Sequence, residues 1–150
     1  MSEHDYVHYR LECPEALKAY PGEDIVVLDW NDDIEMIRRF YKKWGAGDDV
    51  DPPGPDETEI GRPVAVVHDG EIFSFAGTFY FQKGEAEIGP VATVSEARGK
   101  GYAHRVVSEA ARRALEKGLV VTLATQRSNL AMRAVAEDVG MTRITAPLCE

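Results

Sequence analysis

Apolar residues recur at two different spacings along this chain, and one change from strand to helix spacing falls just after Arg98. Ile25-Val26-Val27-Leu28 is a short apolar run of the kind that forms a strand. Ile34, Ile37, Phe40, Tyr41 and Trp44 follow at helical spacing. Asn31 is in place as their N-cap, Asp32 and Asp33 complement the helix dipole, and Gly45 and Gly47 provide the stop. Val64 to Val67 and Ile72 to Phe81 then predict two strands joined by the turn His68-Asp69-Gly70-Glu71, with Gly77 marking a weak point or bulge. Lys83-Gly84 predicts a second hairpin turn, and Ala86 to Val94 a third strand of an antiparallel meander.

Beyond Arg98 the period becomes helical. Ala103, Val106, Val107, Ala110, Ala111, Ala114 and Leu115 occupy every position expected of one amphipathic face, and Gly118 closes it. Leu119 to Ala124 predicts a buried strand parallel to the one before the helix. Asn129 caps a second helix whose buried stripe is Ala131, Ala134, Val135 and Val139. Gly140 ends that helix, and Met141 to Ile144 add a last strand. The expected fold class is α/β with a mixed sheet, a meander followed by β-α-β-α-β. The chain reads as a single domain, 1–150, in which residues 1–24 show no clear period and form an extension of weakly determined structure. The proline-rich, acidic stretch from Gly47 to Pro63 reads as a connector, with a substrate-side lid as its functional alternative.

Composition narrows the function classes. A chain of 150 residues with 44% hydrophobic and 29% charged residues has the makings of one core. No run of 18 apolar residues occurs, so no membrane span is expected. The start, Met1-Ser2-Glu3-His4-Asp5, lacks the basic and apolar regions of a secretory signal, and two cysteines, Cys13 and Cys149, make no disulfide framework. A cytoplasmic location is the expectation. A net charge of -9 argues against nucleic acid as a partner and is compatible with a cationic amine, although solubility alone accounts for it.

The candidate chemistry lies at Arg98-Gly99-Lys100-Gly101-Tyr102-Ala103, between a strand and a helix. The first N–H groups of a helix lack internal acceptors and, with the dipole, attract anions. Gly99 and Gly101 remove Cβ atoms that would obstruct a phosphate, and Arg98 and Lys100 add positive charge. A P-loop would need Ser or Thr after the lysine, where Gly101 stands. A dinucleotide fingerprint would need a glycine at position 104, which is His104.

The segment resembles the GNAT superfamily of N-acetyltransferases, whose signature is Gln or Arg, two residues, Gly, one residue, then Gly or Ala; Arg98 to Ala103 match it completely. Asn129 stands where the family has a cofactor-contacting asparagine, and Val139-Gly140-Met141 close the likeness. The resemblance implies two splayed parallel strands and acetyl-CoA as co-substrate, with no metal. It implies that Arg98, Gly99, Lys100, Gly101, Tyr102, Ala103 and His104 bind the cofactor, the backbone amides from Gly99 into His104 holding its pyrophosphate, and that Asn129 also contacts the cofactor. Val91, Ala92 and Thr93 would pair with the pantetheine arm, and main-chain N–H groups would form an oxyanion hole. The implied reaction is direct attack by a primary amine of a small molecule or peptide, and a homodimer is common in the family. Glu87 is the candidate base, weighed evenly against an ordinary strand glutamate on the solvent face. The family's usual acidic tyrosine is replaced by Ala136, with Tyr80 and Tyr102 as substitutes or an unaided thiolate departure. That gap also leaves open a GNAT-shaped acyl-CoA sensor without catalysis, and a phosphate-binding domain unrelated to CoA stands as a third reading. His4 and His8 have metal-like spacing without a third ligand, His68 is expected in solvent, and only the backbone of His104 is expected to matter. Trp30 and Trp44 are expected in the core, and Cys149 has no catalytic context.

Overall fold

The computed structural model describes residues 5–47, 49–81 and 84–144. His4, Lys83 and Cys149 lie outside the described residues. Seven strands form one sheet: β1 (Tyr6–Leu11), β2 (Ile25–Val27), β3 (Val64–His68), β4 (Glu71–Phe81), β5 (Glu85–Thr93), β6 (Val120–Gln126) and β7 (Thr142–Ile144), in the order β2-β3-β4-β5-β6-β1-β7. Three helices cover it: α1 (Ile34–Trp44), α2 (Tyr102–Glu116) and α3 (Leu130–Val139). No helix among the described residues is long and apolar enough to cross a membrane.

Strand alternation divides the core into two layers. Val64 and Val66 face one side with Ala76, Ile88 and the α2 residues Val106, Val107, Ala110 and Ala111, while Ala65 and Phe75 face the other with Ile37 and Phe40 of α1. Phe75 stacks on Phe40 with ring centroids 5.5 Å apart. The turn between β3 and β4 has positive φ at both Asp69 (53°) and Gly70 (77°), the type I′ geometry that matches strand twist. At Gly77 the β4–β5 register shifts between Ala76 and Thr78, and a Cβ there would stand 2.8 Å from the Gly89 carbonyl. Glycine is therefore required at the bulge by close approach of the neighbouring backbone.

Two element readings are corrected. Residues 6–11 are not an aperiodic extension: β1 is inserted between β6 and β7, antiparallel to both, with Val7, Tyr9 and Leu11 buried. The Tyr9 hydroxyl donates to Glu137 of α3 at 2.8 Å. His8 is thus a strand residue paired with Ala124 and Ile144, not part of a helical ligand pair. The cap of α1 is also displaced from Asn31 to Asp33, because Asp29 organises that turn: its Oδ1 accepts from the N–H groups of Asn31 and Asp32 at 2.8 and 2.9 Å.

Candidate functional site

The parallel strands β5 and β6 pair only where Glu85, Ala86 and Glu87 meet Val120, Val121 and Thr122. Past that point β5 stays with β4 and β6 with β1, so the sheet opens between them. Val94 N–H donates to Phe73 O at 2.9 Å; alternation along an antiparallel ladder then turns the N–H and C=O of Val91 and Thr93 away from β4, toward the opening.

The N-terminus of α2 stands at this opening. Gly99 and Gly101 have φ of 81° and 80°, a left-handed geometry that lets the chain reverse from β5 into the helix, and the space beside each α-carbon is open. Among the described residues no side chain caps α2, and its first turn holds no acidic residue. The first helical bond runs from Arg105 N–H to Gly101 O, so the N–H groups of Tyr102, Ala103 and His104 precede it without helical acceptors. α3, by contrast, is capped internally: Asn129 Oδ1 accepts from Met132 N–H at 3.1 Å.

These elements enclose a cleft of about 660 Å³. Val91, Ala92, Thr93, Arg98, Gly99, Gly101, Tyr102, Ala103, His104 and Asn129 all line it. Lys100 does not; it is exposed in the turn. Arg98 Nε donates to Thr93 O at 3.2 Å, which holds its charge at the cleft. The donor set and the volume fit a phosphate-bearing ligand with a long arm.

Four side chains depart from expectation. Ala131 and Ala134 are exposed and line the cleft with Met132, whereas Val135, Ala136 and Val139 supply the buried stripe. Trp44 also lines the cleft while stacking on Phe40. His104 does more than lend its backbone: its Nε2 lies 3.0 Å from Asp138 Oδ2, joining α2 to α3.

His68 is held rather than solvated. Its Nε2 donates to Asp24 Oδ2 at 2.7 Å, and the same carboxylate accepts from Arg105 Nη1 at 2.8 Å. Both partners touch Tyr102, the His68 ring edge-on at 5.6 Å and the Arg105 guanidinium over its face at 5.3 Å. The network thus braces the first turn of α2. Burial by itself raises the Asp24 carboxyl; the His68 hydrogen bond, its own backbone and Arg105 outweigh that and hold it below the ordinary carboxylate value. A lowered native pKa means that this stability is present above the unfolded-state value and is lost as pH falls through the folded one. Below about pH 4, therefore, wild type will lose stability that Asp24→Asn does not, measured as a smaller pH dependence of the urea midpoint in the variant.

A second, smaller pocket of about 140 Å³ adjoins the cleft along β5, where Gly89 and Pro90 precede Val91. It is lined by Trp30, Tyr41, Phe75 and Phe79, by Gly77 at the bulge, and by Val50, Asp51, Pro53, Glu57 and Ile60 of the acidic loop. The sequence pattern puts Trp30 in the core and Tyr41 on the helical stripe of α1, and reads that loop as a connector with a substrate-side lid as the alternative. Glu87 lies across from Phe79 on β5, half-buried, and among the described residues no side chain hydrogen-bonds its carboxylate. Tyr80 lines neither cavity: its hydroxyl accepts from Lys117 Nζ at 2.8 Å beyond the C-terminal end of α2. Ala136 is fully buried.

The acetyltransferase (GNAT) family model matches residues 30–141. No curated protein sequence matches the chain. Among solved structures, it is similar to a GNAT-family structure from Novosphingobium aromaticivorans, with 21% identity and a TM-score of 0.74 over 93% of this chain and 59% of that one. It is similar to the ribosomal-protein-S18-alanine N-acetyltransferase from Escherichia coli, with 17% identity and a TM-score of 0.64 over 81% of this chain and 78% of that one. A Bacillus anthracis structure described as a streptothricin acetyltransferase in complex with acetyl coenzyme A shares 20% identity and a TM-score of 0.50 over 57% of this chain and 49% of that one. The chain therefore spans about six-tenths of the length of the Novosphingobium structure. At these identities the neighbours attest the fold.

Proposed function

Because the chain belongs to the acetyltransferase (GNAT) family, we propose that it binds acetyl-CoA in the cleft between β5 and β6 and transfers the acetyl group to a primary amine. The single observation that carries this reading is the uncapped N-terminus of α2, with three N–H donors and two left-handed glycines, opening onto a gap between splayed parallel strands. The N–H groups of Tyr102, Ala103 and His104 bind the pyrophosphate, with the Arg98 charge beside them. The outward N–H and C=O of Val91 orient the pantetheine arm as a neighbouring strand would. When bound, acetyl-CoA supplies the activated acetyl group, its carbon–sulfur bond breaking as the carbon–nitrogen bond forms and the coenzyme leaving as thiolate. Glu87 takes the proton from the incoming amine, which requires a carboxylate free to accept it. Among the described residues Tyr102 is the one tyrosine lining the cleft, and with Ala136 buried no hydroxyl stands at the family's usual acid position.

That last observation also supports a second reading, an acyl-CoA-binding sensor without catalysis. Titration calorimetry with acetyl-CoA, followed by a thiol-release assay with a panel of primary amines, separates the two. Micromolar binding with amine-dependent release is expected. Binding with no release from any amine points to the sensor, and no binding at millimolar acetyl-CoA overturns both.

A further inference from the structure

The pocket beside Gly89 and Pro90 has a chemistry of its own, and from it we infer that the acceptor is a small cationic amine carried on a flat apolar group, rather than a polyamine or a polyhydroxylated amine. The inference rests on the reading of the cleft as an acetyl-CoA site, and it concerns the acceptor side alone.

Four aromatic rings, Trp30, Tyr41, Phe75 and Phe79, line the pocket, and besides the Tyr41 hydroxyl its polar side chains are Thr78, Asp51 and Glu57. The Trp30 indole N–H is already used, donating to Gly61 O at 2.9 Å, so this residue offers the pocket only ring surface. Phe75 is fully buried and meets Trp30 and Tyr41 edge-on, which fixes both rings in place. Phe79 is 36% exposed, a large apolar side chain left uncovered at the mouth. The Tyr41 hydroxyl makes no hydrogen bond among the described residues, and burial pushes its pKa up, so it remains a neutral phenol there. A ligand with several hydroxyl or ammonium groups would leave most of them unpaired against such walls, at a cost for each. A single flat apolar group would cover the rings and gain their dispersion and edge-to-face contacts.

Charge at the rim sets the sign of the ligand. Between positions 47 and 63 the sequence has six acidic residues against one arginine, in a protein of net charge -9. Asp51 is neutralised by Arg38 at 2.9 Å, but no cation pairs with Glu57 among the described residues; its Oε1 accepts only from Gly54 N–H at 2.8 Å. An ammonium group is therefore drawn to this mouth, and the aromatic faces hold it further by cation–π attraction. The volume, about 140 Å³, suits one side-chain-sized group. Glu87 is paired with Phe79 across the β4–β5 ladder and lines neither the pocket nor the cleft.

The test uses 2-phenylethylamine, spermidine and kanamycin. Each is titrated calorimetrically into the protein with and without saturating CoA, and each is assayed for thiol release with acetyl-CoA. The inference expects 2-phenylethylamine to bind and react with an advantage of roughly tenfold or more over the other two. Phe79→Ala, a change at an exposed side chain, is expected to raise the KM for 2-phenylethylamine about tenfold while leaving acetyl-CoA affinity unchanged. If spermidine or kanamycin binds as tightly, or if Phe79→Ala leaves 2-phenylethylamine binding unaltered, the inference is overturned, whichever way the coenzyme titration comes out. Failure of acetyl-CoA itself to bind would instead overturn the proposed function.

Discussion

Replacing Gly101 with valine will weaken acetyl-CoA binding about a hundredfold, or ~3 kcal/mol, in a protein that still folds. Gly101 holds φ of 80° as the cap of α2. An L-residue in the left-handed region costs roughly 1–2 kcal/mol, and a β-branched one more. Valine can relieve that strain only by turning the peptide planes that aim the first N–H groups of the helix. It also puts methyl groups into the open space beside the α-carbon, where the phosphates would approach. The rest of α2 is anchored by Val106, Val107, Ala110 and Ala111, all buried, so the loss is confined to its first turn. Calorimetry measures the binding, with a melting curve on the same sample to verify the fold. A folded variant that binds within threefold of wild type would remove the helix N-terminus from the coenzyme site.

Replacing Glu87 with glutamine will lower kcat by about 10²–10⁴-fold with little change in acetyl-CoA affinity. The amide keeps the shape of the side chain and loses the ability to take a proton. Because no described side chain hydrogen-bonds the Glu87 carboxylate, the exchange breaks no internal bond, and a fall in rate cannot be assigned to unfolding. The readout that separates a base from a merely supporting residue is the split of kinetic constants: kcat falls in Glu87→Gln while KM for the amine stays near that of wild type. An unaltered kcat would transfer the role to another group or to solvent.

The two sites differed in how much of each the sequence disclosed. The turn at Arg98 to Ala103 was legible because backbone geometry demands particular residues there, and a strand on one side and a helical stripe on the other frame it. The Asp69-Gly70 hairpin and the bulge at Gly77 were legible for the same reason. Side chains that line a cavity were not. Ala131 and Ala134 occupy apolar helical positions whether a neighbouring element or a ligand covers them, and periodicity cannot tell the two apart. Tyr41 sits on the apolar stripe of α1 and Trp30 reads as an ordinary core tryptophan, and each does pack against Phe75 as well as lining the pocket. His68 beside a hairpin turn gave no sign of Asp24, which lies in a loop far back in the chain. The strand Tyr6–Leu11 does alternate, but it is short, and its hydrogen-bonding partners lie in the last third of the sequence.

That inserted strand governs how the molecule is made. Tyr6 must find Gln126, and His8 must find Ile144, so β1 waits for strands made long after it before the sheet is whole. Until then β6 offers an open edge to any extended chain nearby, a hazard that ends only when β1 docks. Nascent chains halted before residue 120 would hold the meander without β6, and protease sensitivity of Tyr6–Leu11 would report the moment of capture.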